Sequence, residues 1–312
     1  MNSFAFIAPA VATVFGTIVL AVLLRRTGFP SSDHAPIFSK LILEVALPAQ
    51  IFVNLAEGAI GECMLRPALL MLLAEMGVLA IAWAAGLAMR LERRQMGSFL
   101  LASTFGSSAI IGYTLARALF PGNAEAMLET TIITELGVGL GVFTVGVFIA
   151  SRYGSGGNAG DATVGFLKSR IFIALVAGLL WSLLGLPRDF PPIRVTFDVF
   201  KLFGEGLPIL AALAVGLMLK PVRVKAVLPM LVGCALLKLI LQPTLAGLIA
   251  GAASVAEAHR DLLIIMAAMP SGTVAAVLAA KYDCDGPLAS ALVVATTVLG
   301  ALSVAVVFAA IA

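Results

Sequence analysis

Three ionisable side chains, Glu75, Glu135 and Lys238, stand near the middle of long apolar stretches of this sequence. At the centre of a membrane helix a charge costs about 2.5–3.5 kcal/mol unless it is partnered or wet, so such residues mark proton relays, ion sites or buried ion pairs. Glu135 stands in T-I-I-T-E-L-G-V-G-L-G, with Thr131 one turn before it on the same face. Gly137 and Gly141 form a G-x-x-x-G surface there that permits close helix contact. Glu135 has no obvious basic partner, and a carboxylate in a low-dielectric interior is held at least cost with a proton or a cation on it. It is therefore the first candidate for a coupling proton site or a sodium ligand, and Glu75 is the second. For Glu75, a mutual ion pair with Lys238 is the competing reading.

Two further stretches place small polar residues where a continuous membrane helix would carry bulky apolar ones. They read S-T-F-G-S-S-A-I-I-G-Y-T over 103–114 and M-A-A-M-P-S-G-T over 266–273. Pro270 lacks a backbone donor and clashes with the preceding turn, which predicts a broken helix. Unwound backbone at membrane depth is tolerated only where it is buried in protein or lines a wet cavity. The amino ends of half-helices would then aim partial positive charge and free N–H groups at the break, an arrangement that suits a carboxylate. The candidate substrate contacts are Gly106, Ser107, Ser108 and Thr114 on one stretch and Pro270, Ser271, Gly272 and Thr273 on the other, with Lys238 adding positive potential. A plain kink packed by small residues is the alternative. Gln50 and Asn54 would line the cavity wall, and Gln242, one turn past Lys238, would extend the polar patch. Glu44 and Glu205 lie close enough to segment ends for water to reach them.

Membrane-embedded helices must hold these residues, and the composition supplies them. Of 312 residues, 61% are hydrophobic and 12% charged, against roughly 25% charged in soluble domains. Apolar windows bounded by charges, Pro and Gly predict ten spans, at 4–24, 38–56, 66–89, 97–116, 126–150, 169–186, 199–219, 226–250, 262–280 and 287–311. The first lacks a basic start and outruns a secretory apolar region, which predicts a retained helix. With the amino terminus outside, thirteen Lys and Arg residues fall in cytoplasmic loops and six in the opposite ones, the bias that the positive-inside rule requires. Both termini then face out of a plasma (inner) membrane. A net charge of +3 without a basic block excludes a nucleic-acid partner. The scattered Cys63, Cys234 and Cys284 offer neither a disulfide framework nor a zinc cluster. His34 and His259, both in polar connecting stretches, read as surface residues and leave no catalytic relay, so the chain is not expected to be an enzyme. No cofactor is expected beyond a coupling ion, H+ or Na+.

The glycine-rich run S-R-Y-G-S-G-G-N-A-G-D-A-T-V-G divides the spans into two sets of five. Its Gly154-x-Gly156-x-x-Ala159 imitates a dinucleotide fingerprint, but no strand precedes it, and a flexible cytoplasmic linker over 151–168 is the expectation. The halves, 1–150 and 169–312, echo each other. L-R-R-T-G-F-P ending at Pro30 parallels S-L-L-G-L-P ending at Pro187, A-L-P-A-Q around Pro48 parallels G-L-P-I-L around Pro208, and F-G-S-S-A from Phe105 parallels M-P-S-G-T from Met269. An odd number of spans per half inverts the second repeat in the membrane, and inverted repeats are a hallmark of secondary transporters with a midplane site at broken helices.

A-L-P-A-Q-I-F at Ala46–Phe52, F-G-x-S-x-x-x-G at Phe105–Gly112, L-P-I-L-A-A-L-A-V-G at Leu207–Gly216 and A-A-M-P-S-G-T from Ala267 resemble the auxin efflux carrier family, which includes plant auxin exporters and bacterial malonate or malate permeases. The resemblance covers nearly the whole chain. It implies an all-α fold of ten transmembrane helices in two inverted five-helix repeats, related to the bile-acid sodium symporters. Helices 1, 2, 6 and 7 would form a scaffold, and helices 3–5 and 8–10 an elevator-type transport domain around the crossing of helices 4 and 9. It also implies a homodimer through the scaffold. The sequence departs from the family where an Asn after Phe-Gly is replaced by Ser107 and a Pro by Thr114. The expected activity is secondary transport of small organic anions, coupled to protons or sodium, with uncoupled weak-acid export as the alternative. A membrane enzyme or a sensory module is the reading from another class.

Overall fold

The computed structural model describes residues 16, 19–27, 30–58, 62–112, 115–116, 120, 123–154, 168–188, 190–218 and 224–311. Most of the expected first span, Thr114 and most of the expected linker lie outside the described residues. The described elements are helical. α1 comprises Ala35–Leu41, a wider π-helical stretch Ile42–Ala46 and Leu47–Glu57. It is followed by α2 (Glu62–Ala88) and α3 (Arg93–Thr104). α4 runs through Ala124–Ile132, two π-helical stretches Ile133–Gly139 and Val142–Gly146, and Val147–Tyr153. α5 (Arg170–Leu183), α6 (Pro191–Glu205) and α7 (Leu207–Met218) come next. α8 comprises Val224–Leu236, a π-helical stretch Leu237–Leu241 and Gln242–Ala252. α9 (Glu257–Ala267), α10 (Thr273–Lys281) and α11 (Gly286–Ile311) complete the order.

Among the described residues five helical runs are long and apolar enough to cross a membrane: Pro36–Glu57, Leu65–Ala88, Glu125–Tyr153, Val227–Ala252 and Gly286–Val307. They carry large outward-facing side chains such as Leu69, Leu73, Ile240, Leu248 and Leu302, an apolar exterior of the kind that meets lipid. The π-helical stretches of α1 and α8 have a common cause. Pro48 offers no N–H to the carbonyl of Glu44, and that carbonyl accepts a bond from Arg170 Nη1 at 3.3 Å. In α8 the wide stretch ends at Leu241, two residues before Pro243.

The span expected at 199–219 is two helices. α6 starts earlier, at Pro191, because two prolines are cheap in a first turn whose N–H groups have no partner anyway. The chain breaks after Glu205 and resumes at Leu207. Arg194, Asp198 and Lys201 lower the hydropathy of α6 and hid its first two turns from the apolar window.

The helices pack in two groups. α1, α5 and α6 meet around Phe52, Trp181, Phe197 and Phe200, whose ring centroids stand 5.3–5.9 Å apart. α2 to α4 and α8 to α11 pack mainly on one another. Within the second group α4 presses against α2 through the expected glycines. A Cβ on Gly137 would fall 3.0 Å from Met71 Cβ, and one on Gly141 would fall 2.7 Å from Glu75 Oε2.

Candidate functional site

α3 stops at Thr104 and α9 at Ala267, and helical structure resumes at Ser108 and Thr273. Between these ends the two non-helical stretches satisfy each other. Ser107 N donates to Pro270 O at 2.8 Å and Gly272 N donates to Phe105 O at 2.9 Å, closing an antiparallel bridge between Gly106 and Ser271. The fourth span is thus broken without a proline at Thr114's place, because the partner stretch accepts and donates what its own helix no longer does. Both glycines are required by proximity. A Cβ on Gly272 would come 2.8 Å from Gly106 O, and one on Gly106 would come 2.9 Å from Lys238 Nζ.

On one side of the bridge lies a cavity of about 50 Å³. Gly106, Ser107, Ser108, Gly272 and Thr273 form its floor, Thr134 and Glu135 of α4 one wall, and Gln50 of α1 part of the other. The remaining wall is apolar, and among the described residues no Lys, Arg or His lines the cavity. Ser107 Oγ, Thr134 Oγ1 and Thr273 Oγ1 are buried and have no hydrogen-bond partner among the described residues. Buried hydroxyls in proteins normally have one, so three orphans on one small cavity mark a place for a polar ligand. Thr273 opens α10, whose first turn brings free N–H groups and the positive end of its dipole to the same spot.

Glu135 Oε1 accepts from Asn54 Nδ2 at 2.7 Å, and Asn54 Oδ1 accepts from Gln50 Nε2 at 2.9 Å. A side chain on Gly204 of α6 would collide with Gln50 Oε1, so that glycine makes room for the chain's first member. Of the two residues expected as cavity wall, Gln50 lines the cavity and Asn54 does not; Asn54 bonds the expected ion-coupling residue directly, and Gln50 reaches it through Asn54. The Glu135 carboxylate, the Thr134 hydroxyl and the Gln50 amide are oxygen donors of the type a hard cation takes. Among the described residues no cluster of three or more His, Cys, Asp or Glu side chains is placed to hold a metal.

Lys238 and Glu75 stand elsewhere. Neither lines the cavity. Lys238 Nζ donates to Gln242 Oε1 at 2.6 Å and to Ala267 O at 3.2 Å, which places an ammonium at the negative, carbonyl end of α9. The mutual ion pair that the sequence suggested is not formed: both Glu75 carboxylate oxygens are buried without a hydrogen-bond partner. The ammonium is held by the amide and the helix end instead, and Glu75 interacts with it only through the field. Pro270 and Ser271 also turn away from the cavity. Ser271 Oγ donates to Ala102 O at 2.6 Å and Ser271 N donates to Thr296 Oγ1 at 3.3 Å, so Ser271 braces the crossing.

Sequence reasoning missed Thr134, although it adjoins Glu135. It also missed Glu129, a buried acid within the span expected at 126–150. His259 is a correction: it lies in α9 and not in a connecting stretch, and its Nδ1 meets Glu129 Oε2 at 2.6 Å. Glu44 is a further pairing that spacing does not reveal. It reaches Arg170 Nε at 3.4 Å and Lys281 Nζ at 3.5 Å.

Comparison with known proteins points the same way as the geometry. A family model described as membrane transport protein matches residues 6–159 and 163–308. An uncharacterized transporter of Methanocaldococcus jannaschii is 23% identical over 297 residues, covering 92% of this chain and 93% of its own. Another, of Methanothermobacter thermautotrophicus, is 24% identical over 307 residues, covering 94% of each.

Proposed function

Because the chain belongs to the membrane transport protein family of auxin efflux carriers, and is thus an integral membrane transporter, we propose that it is a secondary carrier of small organic anions, coupled to protons or sodium through Glu135. Carboxylates such as malonate and malate or auxin-like weak acids are the substrate class. The observation that carries this reading is the meeting of one acid, three orphan hydroxyls and a helix amino end on one cavity that, among the described residues, has no basic side chain. A carboxylate held by α10 and the hydroxyls would stand within a few ångströms of Glu135. Two like charges about 4 Å apart repel by about 4 kcal/mol at an effective dielectric of about 20, close to a thousandfold in affinity. A proton or a sodium ion on Glu135 removes that penalty. Anion and cation therefore bind together, which is symport.

The two packing groups supply the moving parts. α1, α5, α6 and α7 act as the scaffold with the first span, and α2 to α4 with α8 to α11 as the transport domain, which carries the crossing across the membrane in an elevator motion. Both termini face out of an inner membrane, and the scaffold supports a homodimer. The test is uptake into proteoliposomes of malonate, malate, lactate and an indole carboxylate, with proton and sodium gradients imposed separately. In the Glu135→Gln variant, gradient-driven uptake is expected to fall at least tenfold while substrate binding stays measurable. Full gradient-driven uptake by that variant defeats the assignment, and wild-type uptake indifferent to both gradients marks uncoupled export instead.

A further inference from the structure

The cavity beside the crossing holds a narrower message about its occupant. Its polar inventory among the described residues is small: the Ser107, Thr134 and Thr273 hydroxyls without partners, the Ser108 hydroxyl, the first turn of α10, the Gln50 amide and the Glu135 carboxylate. A carboxylate has two oxygens and about four lone-pair directions, and three hydroxyl donors with a helix amino end are enough to satisfy one such group. Among the described residues that leaves only the Ser108 hydroxyl and the Gln50 amide, both uncharged, for a second. The rest of the wall is made by Leu47, Ile51, Phe143, Val138, Leu207 and their neighbours, where a second anionic head would lose its water and gain no partner. The orphan hydroxyls lie deep: Ser107, Thr134 and Thr273 are 5%, 2% and 3% exposed.

The charge balance is tighter still. Glu135 is the acid on the cavity, and bound H+ or Na+ cancels its charge and no more. The ammonium of Lys238 is not available to a ligand. It is wholly buried, committed to Gln242 and the α9 carbonyl end, and kept from the cavity by the backbone of Gly106. Volume sets the last limit. The cavity's 50 Å³ is under two waters' share of the liquid at about 30 Å³ each, which favours the smallest acids.

We infer that the substrate is a short aliphatic monocarboxylate, bound by Ser107, Thr134, Thr273 and the amino end of α10 with its apolar body against the Leu47 and Val138 wall, and that dicarboxylates are rejected. The inference rests on the reading of this cavity as the anion site and narrows it. Malonate and malate then leave the substrate class, and so does a bulky indole acid.

The experiment compares propionate and lactate with malonate and malate at neutral pH, using purified full-length protein in proteoliposomes with an inward proton or sodium gradient. Uptake of each labelled acid is measured, and each unlabelled acid is added in tenfold excess against labelled propionate. Propionate and lactate are expected to accumulate and to compete, while each diacid enters at under a tenth of the propionate rate and leaves propionate uptake unchanged. If malonate or malate enters as fast as propionate, or abolishes its uptake, the monocarboxylate assignment is overturned and the anion-carrier reading stands. If none of the four acids enters liposomes containing folded protein, the anion-carrier reading fails, and the narrower one fails with it.

Discussion

Glu135, Ser107, Ser108, Gly272 and Thr273, which line one cavity, are legible as candidate site residues from the sequence alone, because a polar or glycine residue in a lipid-length apolar run has to be explained by something. What the sequence does not carry is direction. Ser271 and Thr273 are two residues apart and equally small, yet one braces the crossing and the other faces the cavity. The Asn54–Glu135 bond joins residues 81 apart in the chain, and only packing decides that they meet. Direction matters as much for Cys284, which lies between α10 and α11, outside the membrane spans. Its thiol is buried beside Gly97 and donates to Ala150 O at 3.4 Å. Burial pushes the thiol up to about 11, with the nearby Arg94 guanidinium opposing the rise. The thiolate is the reactive form, so the neutral thiol dominates until the pH approaches that value. Maleimide labelling of Cys284 at neutral pH is therefore expected to run about a hundredfold slower than that of an ordinary exposed cysteine, and to accelerate about tenfold per pH unit on the alkaline side. Mass spectrometry of the labelled peptide checks it, and fast labelling at neutral pH would show that the loop does not close over Cys284.

At the level of helices, proline and glycine spacing is a good guide to where regular structure fails. Pro270 announces the break between α9 and α10, and Pro48 and Pro243 follow the wide stretches of α1 and α8. The break after α3 is harder to read, since Phe105 and Ser107 have no intrinsic reason to leave a helix. They do so because Pro270 and Gly272 offer backbone partners. That makes the crossing a cooperative unit, and a substitution on one side should undo both. Gly272→Ala places a methyl 2.8 Å from Gly106 O, separates the strands and leaves two buried backbone donors unpaired. At about 1–3 kcal/mol for each, unfolding in micelles should show a loss of about 2–4 kcal/mol. Gly251→Ala meets nothing within 4 Å and is the control expected to stay within about 0.5 kcal/mol of the parent. Equal stability of the two variants would mean that the bridge contributes little.

Over the whole molecule, the expectation of ten spans in two halves rests on hydropathy and charge bias, and among the described residues five helical runs are long and apolar enough to cross a membrane, while the segment expected at 199–219 is divided into α6 and α7. The packing of those helices into two groups did not follow from any local pattern. The groups are tied at two depths, by Asn54 to Glu135 and by Glu44 to Lys281. The second tie is 3.5 Å long and its side chains are 36% and 31% exposed, so it contributes at most about 1 kcal/mol to stability. If the groups move past each other in each transport cycle, such a tie acts on rate. Lys281→Gln is expected to change the turnover of gradient-driven uptake at least threefold while leaving thermal unfolding unchanged. Unaltered turnover would mean that this contact persists throughout the cycle. The bridge at the crossing has a different consequence, for the birth of the protein. Ser271 and Ala102, hydrogen-bonded across it, are 169 residues apart. At roughly 5–20 residues per second a ribosome needs about 10–30 s to deliver the second stretch after the first. Through that interval the newly inserted Phe105–Ser107 segment waits in the bilayer with its amides unanswered, and a chaperone or a quality-control protease of the membrane has that long to find it.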